Sequence, residues 1–219
     1  MTEKKAAKPL RVRRRYRLED GTVVPGVTTV TGLLAKPSLV RWANRLGLEG
    51  IDSARVTEQS ARIGTLTHAM IRASLLGEVF DPENSDPEEL GQAEEAFRCF
   101  LRWRDGHSLL PIHCERPFVS QLLRYGGTPD CYCMLDGKPV LLDFKTGKRI
   151  YDEYFVQLAA YARLLREQGC PVEELRVLRL GRAEEACEER SVMEQEKWFR
   201  LFENLLNIYY LRKDLSWRS

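Results

Sequence analysis

The apolar positions of this chain follow one period in its first half and another in its second. Between about residues 28 and 105 they recur three or four apart, the spacing of one helix face. This predicts helices over 28–34, 38–47, 54–76 and 88–105. Lys36-Pro37 breaks the first from the second, Ser38 is placed to cap the second, and Trp42 is expected to face inward. Phe97, Phe100, Leu101 and Trp103 are spaced for burial on the fourth. From Pro111 the runs shorten, and IHCERPFVS, DCYCML and PVLLDFK read as an antiparallel meander. A helix over 152–168, a strand over 175–180, an edge strand near 187–192 and a helix over 193–212 complete the series. Strands followed by a helix and a further strand predict an α/β core with a mixed sheet. Ahead of all these, residues 10–26 read as a hairpin, with EDG at 19–21 as the turn between RVRRRYRL and TVV.

Composition narrows the setting. A chain of 219 residues, 43% apolar, can bury one substantial core. It is therefore read as a single domain over 1–219: a basic hairpin (10–26), a mainly helical part (27–106) and an α/β core (111–219). No apolar run reaches the length of about 18 residues that a membrane span needs, and no apolar segment follows the charged N-terminus. A cytoplasmic protein is expected. The six cysteines at 99, 114, 131, 133, 170 and 187 lack the dense spacing of a secreted disulfide framework and are read as reduced thiols. Net charge is only +2, yet five arginines fall within residues 11–17. That local cluster, with Arg13, Arg14 and Arg15 at its centre, suits phosphate contact.

The chemistry centres on one hairpin. Asp136-Gly137 between two strand-like runs is a strong type I′ turn signal, since both central positions need positive φ. Such a turn pairs Leu135 with Lys138, and counting outward along both arms sets Asp130 opposite Asp143. Cross-strand neighbours lie about 4.5–5.5 Å apart at Cβ, and like charges there repel unless something positive lies between them. A hard divalent cation, which favours carboxylate oxygens, is the natural partner. Strand alternation puts Lys145 on the same face as Asp143, with Leu142 and Phe144 on the other. A lysine beside a metal can stabilise charge developing on a phosphoryl group or orient the nucleophile.

These residues also resemble a known family. Gly127-Thr-Pro-Asp130 followed by Asp143-Phe-Lys145-Thr is similar to the GxxD…DxK core of the PD-(D/E)xK nuclease superfamily. Gly64-Thr-Leu-Thr-His68 looks like the GxxxH element of the RecB-like branch, and Gln157-Leu-Ala-Ala-Tyr161 like its QxxxY element. The four elements stand in the family's order and span 64–161. VPGVTTVTGLLAKPSLVRWA is similar, more loosely, to the opening of stand-alone phage and bacterial members. The resemblance implies a restriction-endonuclease-like α/β fold, a central mixed sheet flanked by helices, with a helical N-terminal part. It implies that His68, Asp130, Asp143 and the backbone carbonyl of Phe144 hold Mg2+ or Mn2+, with Glu115 as a further metal or water ligand. Lys145 would be the catalytic lysine, and Gln157 and Tyr161 would orient it or contact substrate; as i and i+4 they share one helix face. Thr146 and Lys148 are placed with Arg13, Arg14 and Arg15 as nucleic-acid contacts.

The activity so implied is that of a metal-dependent deoxyribonuclease, an exonuclease on free or single-stranded DNA ends. Roles in DNA recombination and repair are expected to follow, with a recombination or helicase partner on another chain. Two alternatives stand beside it: a structure-selective endonuclease, and a non-catalytic nucleic-acid-binding protein on the same fold. An iron–sulfur cluster, found in some relatives, is not expected, because no cysteine follows Cys187. Cys131 and Cys133 share the strand face opposite Asp130 and are read as core packing. His107 and His113 are read as surface or packing residues.

Overall fold

A computed structural model describes residues 15–83, 85–181 and 187–216. Strands β1 (Tyr16–Arg17) and β2 (Val23–Val24) form the hairpin expected around Glu19–Gly21; Arg13 and Arg14 lie outside the described residues. Helix α1 (Val27–Thr31) is short, and α2 (Pro37–Leu48) starts with Pro37 at its first turn. Proline fits there because the missing N–H would have had no intrahelical partner. Lys36 is therefore the cap residue, with no side-chain capping bond, so Ser38 lies inside the helix and does not cap it. Trp42 is half-buried, and α2 buries none of its residues fully.

Helix α3 (Ser53–Leu76) begins where the Asp52 carboxylate accepts the N–H of Ala54, and it stops at Gly77, whose φ of 67° suits a residue without Cβ. Helix α4 (Pro87–Asp105) is capped by Asp86, which accepts the N–H groups of Glu88 and Glu89. The run IHCERPFVS proves to be two strands. Glu115, at a φ of 48°, and Pro117 end β3 (Leu109–Cys114) before β4 (Phe118–Ser120) begins. Strand β4 pairs instead with β5 (Tyr125–Gly127), which carries two glycines and gave no strand signal.

Strands β6 (Cys131–Leu135) and β7 (Lys138–Lys145) join through Asp136 and Gly137, at φ of 50° and 81°. Leu135 pairs with Lys138 and Cys131 with Leu142, the expected register. The turn is anchored, since Asp136 Oδ1 accepts the Ser108 N–H and the Asp136 N–H returns to Ser108 O. Helix α5 (Glu153–Glu167) then crosses to β8 (Glu174–Arg179), parallel to β7, followed by β9 (Glu188–Val192) and helix α6 (Glu196–Ser216). The main sheet has the order β3-β6-β7-β8-β9 and is mixed.

Helices cover both faces of that sheet. On one face α3 and α4 pack Ile71, Ala96 and Phe100 against Cys131, Cys133, Leu142 and Phe144. On the other, α1, α5 and α6 pack against Tyr132, Leu141, Leu175 and Val177. This is why β7 reads as a nearly continuous apolar run: both its faces are buried. The cysteines depart from expectation at one place. Cys99 on α4 and Cys187 before β9 form a disulfide, their Cα atoms 6.0 Å apart, because the fold stacks these distant segments together. Cys114, Cys131, Cys133 and Cys170 are free thiols.

Candidate active site

Asp143 is wholly buried near the end of β7, on the face that meets α5. Lys145 follows two residues later on the same face, and its Nζ lies 2.6 Å from Asp143 Oδ2. From α5, Gln157 Nε2 donates to Asp143 Oδ1 at 3.1 Å and faces the Tyr161 hydroxyl at 3.4 Å. Asp130 stands just before β6, one step past the last paired position. Its Oδ2 accepts the Phe144 N–H at 2.9 Å, and its Oδ1 lies 3.4 Å from His68 Nδ1. His68 in turn puts Nε2 3.0 Å from the Phe144 carbonyl. The fold thus brings His68, Asp130, Asp143, Phe144, Lys145, Gln157 and Tyr161 together. The repulsion expected between the two aspartates is eased by Lys145 and His68, which the hairpin register alone does not reveal.

Two glycines explain how these elements come so close. A Cβ at Gly64 would sit 3.3 Å from Thr146 Oγ1, so α3 can run tightly over the end of β7 and present His68 one turn later. A Cβ at Gly127 would lie 2.4 Å from the Tyr161 ring. The first glycine of GTPD therefore makes room for the tyrosine of QLAAY.

Electrostatics separate the two acids. Burial pushes the Asp143 carboxyl up to about 6, although Lys145 pulls the other way. Burial also raises Asp130, but the charges of His68 and Lys145 and the Phe144 N–H together hold it below the usual carboxylate range. Burial lowers His68, but the charge of Asp130, its close approach and the charge of Asp143 together outweigh that and leave it raised. Such divergence is the behaviour of interacting buried carboxylates. His68 Nδ1 and Asp143 Oδ2 are buried without a well-directed hydrogen bond.

The donor set suits an oxygen-preferring divalent cation: two carboxylates, a backbone carbonyl and an imidazole. The 3.0 Å between His68 Nε2 and Phe144 O is the length of an N–H···O bond. It is also about the separation of neighbouring donors on an octahedral cation held at about 2.1 Å. Among the described residues, however, no three His, Cys, Asp or Glu side chains are gathered as a ready metal cage. Asp143 faces Lys145 and would have to be shared.

The remaining expected residues are more dispersed. Glu115 lines a small pocket with His68, Arg72 and Asp130, and its N–H donates to Asp130 O at 3.0 Å. Thr146 is half-buried against α3, while Lys148 and Arg15 are exposed. The hairpin that follows Arg15 is docked next to the acids: Tyr16 Oη meets Thr128 Oγ1 at 2.9 Å, two residues from Asp130. His107 pairs with Asp136 at the turn, and His113 packs by Phe118 and Tyr132, both away from this cluster. One neighbour was not anticipated. Lys145 Nζ lies 4.8 Å from the centre of the Tyr154 ring. The available signal was that Tyr154 stands three residues before Gln157, on the same face of α5.

The chain matches no family model and no curated protein. Similar solved structures include an alkaline exonuclease (LHK-Exo) from Laribacter hongkongensis, 11% identical, covering 73% of this chain and 88% of that one with a TM-score of 0.40. The same exonuclease in complex with dAMP is 11% identical over 71% of this chain and 86% of that one, with a TM-score of 0.39. A candidate exonuclease from Eubacterium rectale is 13% identical over 70% and 65%, with a TM-score of 0.45. Each is under 25% identical with a TM-score below 0.5, and none bears on activity. No helix among the described residues is long and apolar enough to cross a membrane.

Proposed function

We propose that this chain is a divalent-cation-dependent nuclease that hydrolyses phosphodiester bonds in DNA, working from free or single-stranded ends. The observation that carries this reading is the buried Asp143–Lys145 pair, 2.6 Å apart, with Asp130 and His68 beside it. Asp130, Asp143, the Phe144 carbonyl and His68 would hold Mg2+ or Mn2+, with Glu115 near enough to take part through water. When bound, the cation would neutralise phosphoryl charge and lower the pKa of a coordinated water. Lys145 brings a positive charge to the same face, where it stabilises charge developing on the phosphoryl oxygens. Gln157 fixes the rotamer of Asp143, and Tyr161 backs Gln157.

Substrate contact follows from charge. Arg13, Arg14 and Arg15 lead into a hairpin docked two residues from Asp130, so phosphates held there would continue towards the acids. Lys148, exposed just after Lys145, and Thr146 would extend that contact. The preference for ends and a recombination or helicase partner rest on the family resemblance, and a cytoplasmic setting on the hydropathy pattern of the sequence. End-labelled linear DNA and circular single-stranded DNA, each incubated with Mn2+ and with EDTA, test the proposal. Cleavage of the linear substrate alone supports an exonuclease; cleavage of both indicates an endonuclease. The Asp143–Lys145 ion pair, which engages a carboxylate that a cation would need, favours a second reading, a non-catalytic DNA-binding protein. DNA binding with no cleavage under any divalent cation would establish it.

A further inference from the structure

We propose that Tyr154 is a positioning residue for Lys145, a role that rests on the nuclease reading above. The Lys145 ammonium is held between two supports, the Asp143 carboxylate at 2.6 Å and the Tyr154 ring face at 4.8 Å. A cation within about 6 Å of an aromatic centroid is attracted by the ring quadrupole. The ring is itself held in place. The Tyr154 N–H bonds to Tyr151 O at 3.0 Å, the Tyr151 ring meets it edge-on at 5.6 Å, and its body packs against the core beneath α5. Tyr154, Gln157 and Tyr161 occupy one line on the helix, at i, i+3 and i+7. The first supports Lys145, the second bonds Asp143 and the third backs the second.

The need for the ring follows from the sharing of Asp143. One carboxylate cannot serve a divalent cation and an ammonium at full strength together. When Asp143 is drawn to the cation, the flexible four-carbon stem of Lys145 loses the contact that fixes its end. An aromatic face keeps the ammonium aimed without taking its proton and without competing as an anionic ligand. Arginine at position 154 would repel the ammonium, and glutamate would compete as an anionic ligand.

The test uses the full-length protein with Mn2+ and linear DNA, under saturating and limiting substrate. Tyr154→Leu should lower kcat by about 5- to 30-fold with KM within about twofold of wild type, the span expected for one partly desolvated cation–π contact. Tyr154→Phe, which keeps the ring, should restore turnover to within about twofold. Melting temperatures of both variants show whether the fold is kept. A second readout needs no activity: in protein labelled at lysine Cε, the Lys145 methylene signals should be shifted upfield by the ring current. They should return to the position of ordinary lysines in Tyr154→Leu. An active wild type with normal kcat in Tyr154→Leu overturns the inference, as does a defect confined to KM or a Tyr154→Phe as poor as Tyr154→Leu. An inactive wild type instead refutes the nuclease reading, and the lysine spectrum then still decides whether Tyr154 holds Lys145.

Discussion

Replacing Gly127 by alanine perturbs the joint between the GTPD and QLAAY segments. Its added Cβ would lie 2.4 and 2.7 Å from Tyr161 Cε1 and Cδ1 and 3.0 Å from Val27 Cγ2. Carbon atoms pack best at about 3.5–4.0 Å, so the ring would have to retreat by about 1 Å. There is little room for this. Tyr161 is 4% exposed and closed in by the core under α5, while Gly127 is pinned by pairing with Phe118. Overpacking of this kind costs about 1–3 kcal/mol. For a chain of this size that is a fall in melting temperature of roughly 2–12 °C. The backbone conformation is not the obstacle, since φ at Gly127 is not positive. Alanine should therefore cost much less once the ring is gone, with only the contact to Val27 Cγ2 at 3.0 Å left to relax and with the unfolded chain more restricted. Urea melts of wild type, Gly127→Ala, Tyr161→Leu and the double variant form the assay. The expected result is a coupling of at least about 1 kcal/mol, with Gly127→Ala far less costly in the Tyr161→Leu background. A Gly127→Ala protein as stable as wild type, or a cost unchanged by Tyr161→Leu, would refute the close approach as the reason for this glycine.

Two further predictions follow from charge. Burial lifts the folded-state Asp143 carboxyl to about 6, above its unfolded value of about 4, so its stabilising contribution is full below about pH 4 and lost as pH rises through about 6. In EDTA, Asp143→Asn should therefore gain stability relative to wild type between about pH 4 and 6.5, read from paired thermal melts; a constant gap contradicts the burial of Asp143. Replacing Arg13, Arg14 and Arg15 by alanine should weaken DNA binding evenly across sequences and reduce the slope of log K against log salt by about 2–3. Fluorescence anisotropy across a salt series measures it, and an unchanged slope would return that segment to plain solvated surface.

The parts of the fold legible in the sequence are those where local chemistry and global packing agree. Asp136-Gly137 allows one turn type, and that turn fixes the pairing of β6 with β7. Helices α3 and α4 carry both an apolar face and acidic caps, so their bounds could be read to within a residue or so. Strand β5 was not legible because Gly126 and Gly127 are glycines for the sake of neighbours far away in sequence. A Cβ at Gly126 would strike Tyr16, and one at Gly127 would strike Tyr161. The same limit applies to the site. Strand alternation placed Asp143 and Lys145 on one face, but the release of repulsion by Lys145 and His68 depends on distances that only the folded chain supplies. Tyr154 escaped notice because a tyrosine near a helix start carries no charge pattern of its own.

On the proposed function, Asp143 and Lys145 act together with a divalent cation on a phosphodiester. The most direct test of this is single-turnover cleavage of end-labelled linear DNA by wild type, Asp143→Asn and Lys145→Ala, with Mn2+ and with EDTA. Cleavage by wild type should require Mn2+ and stop in EDTA. Both variants should lose at least about 100-fold in rate, the scale of removing one preorganised charge-stabilising group, and Lys145→Ala should still bind DNA. Wild-type cleavage indifferent to EDTA, or either variant cutting at the wild-type rate, would contradict it.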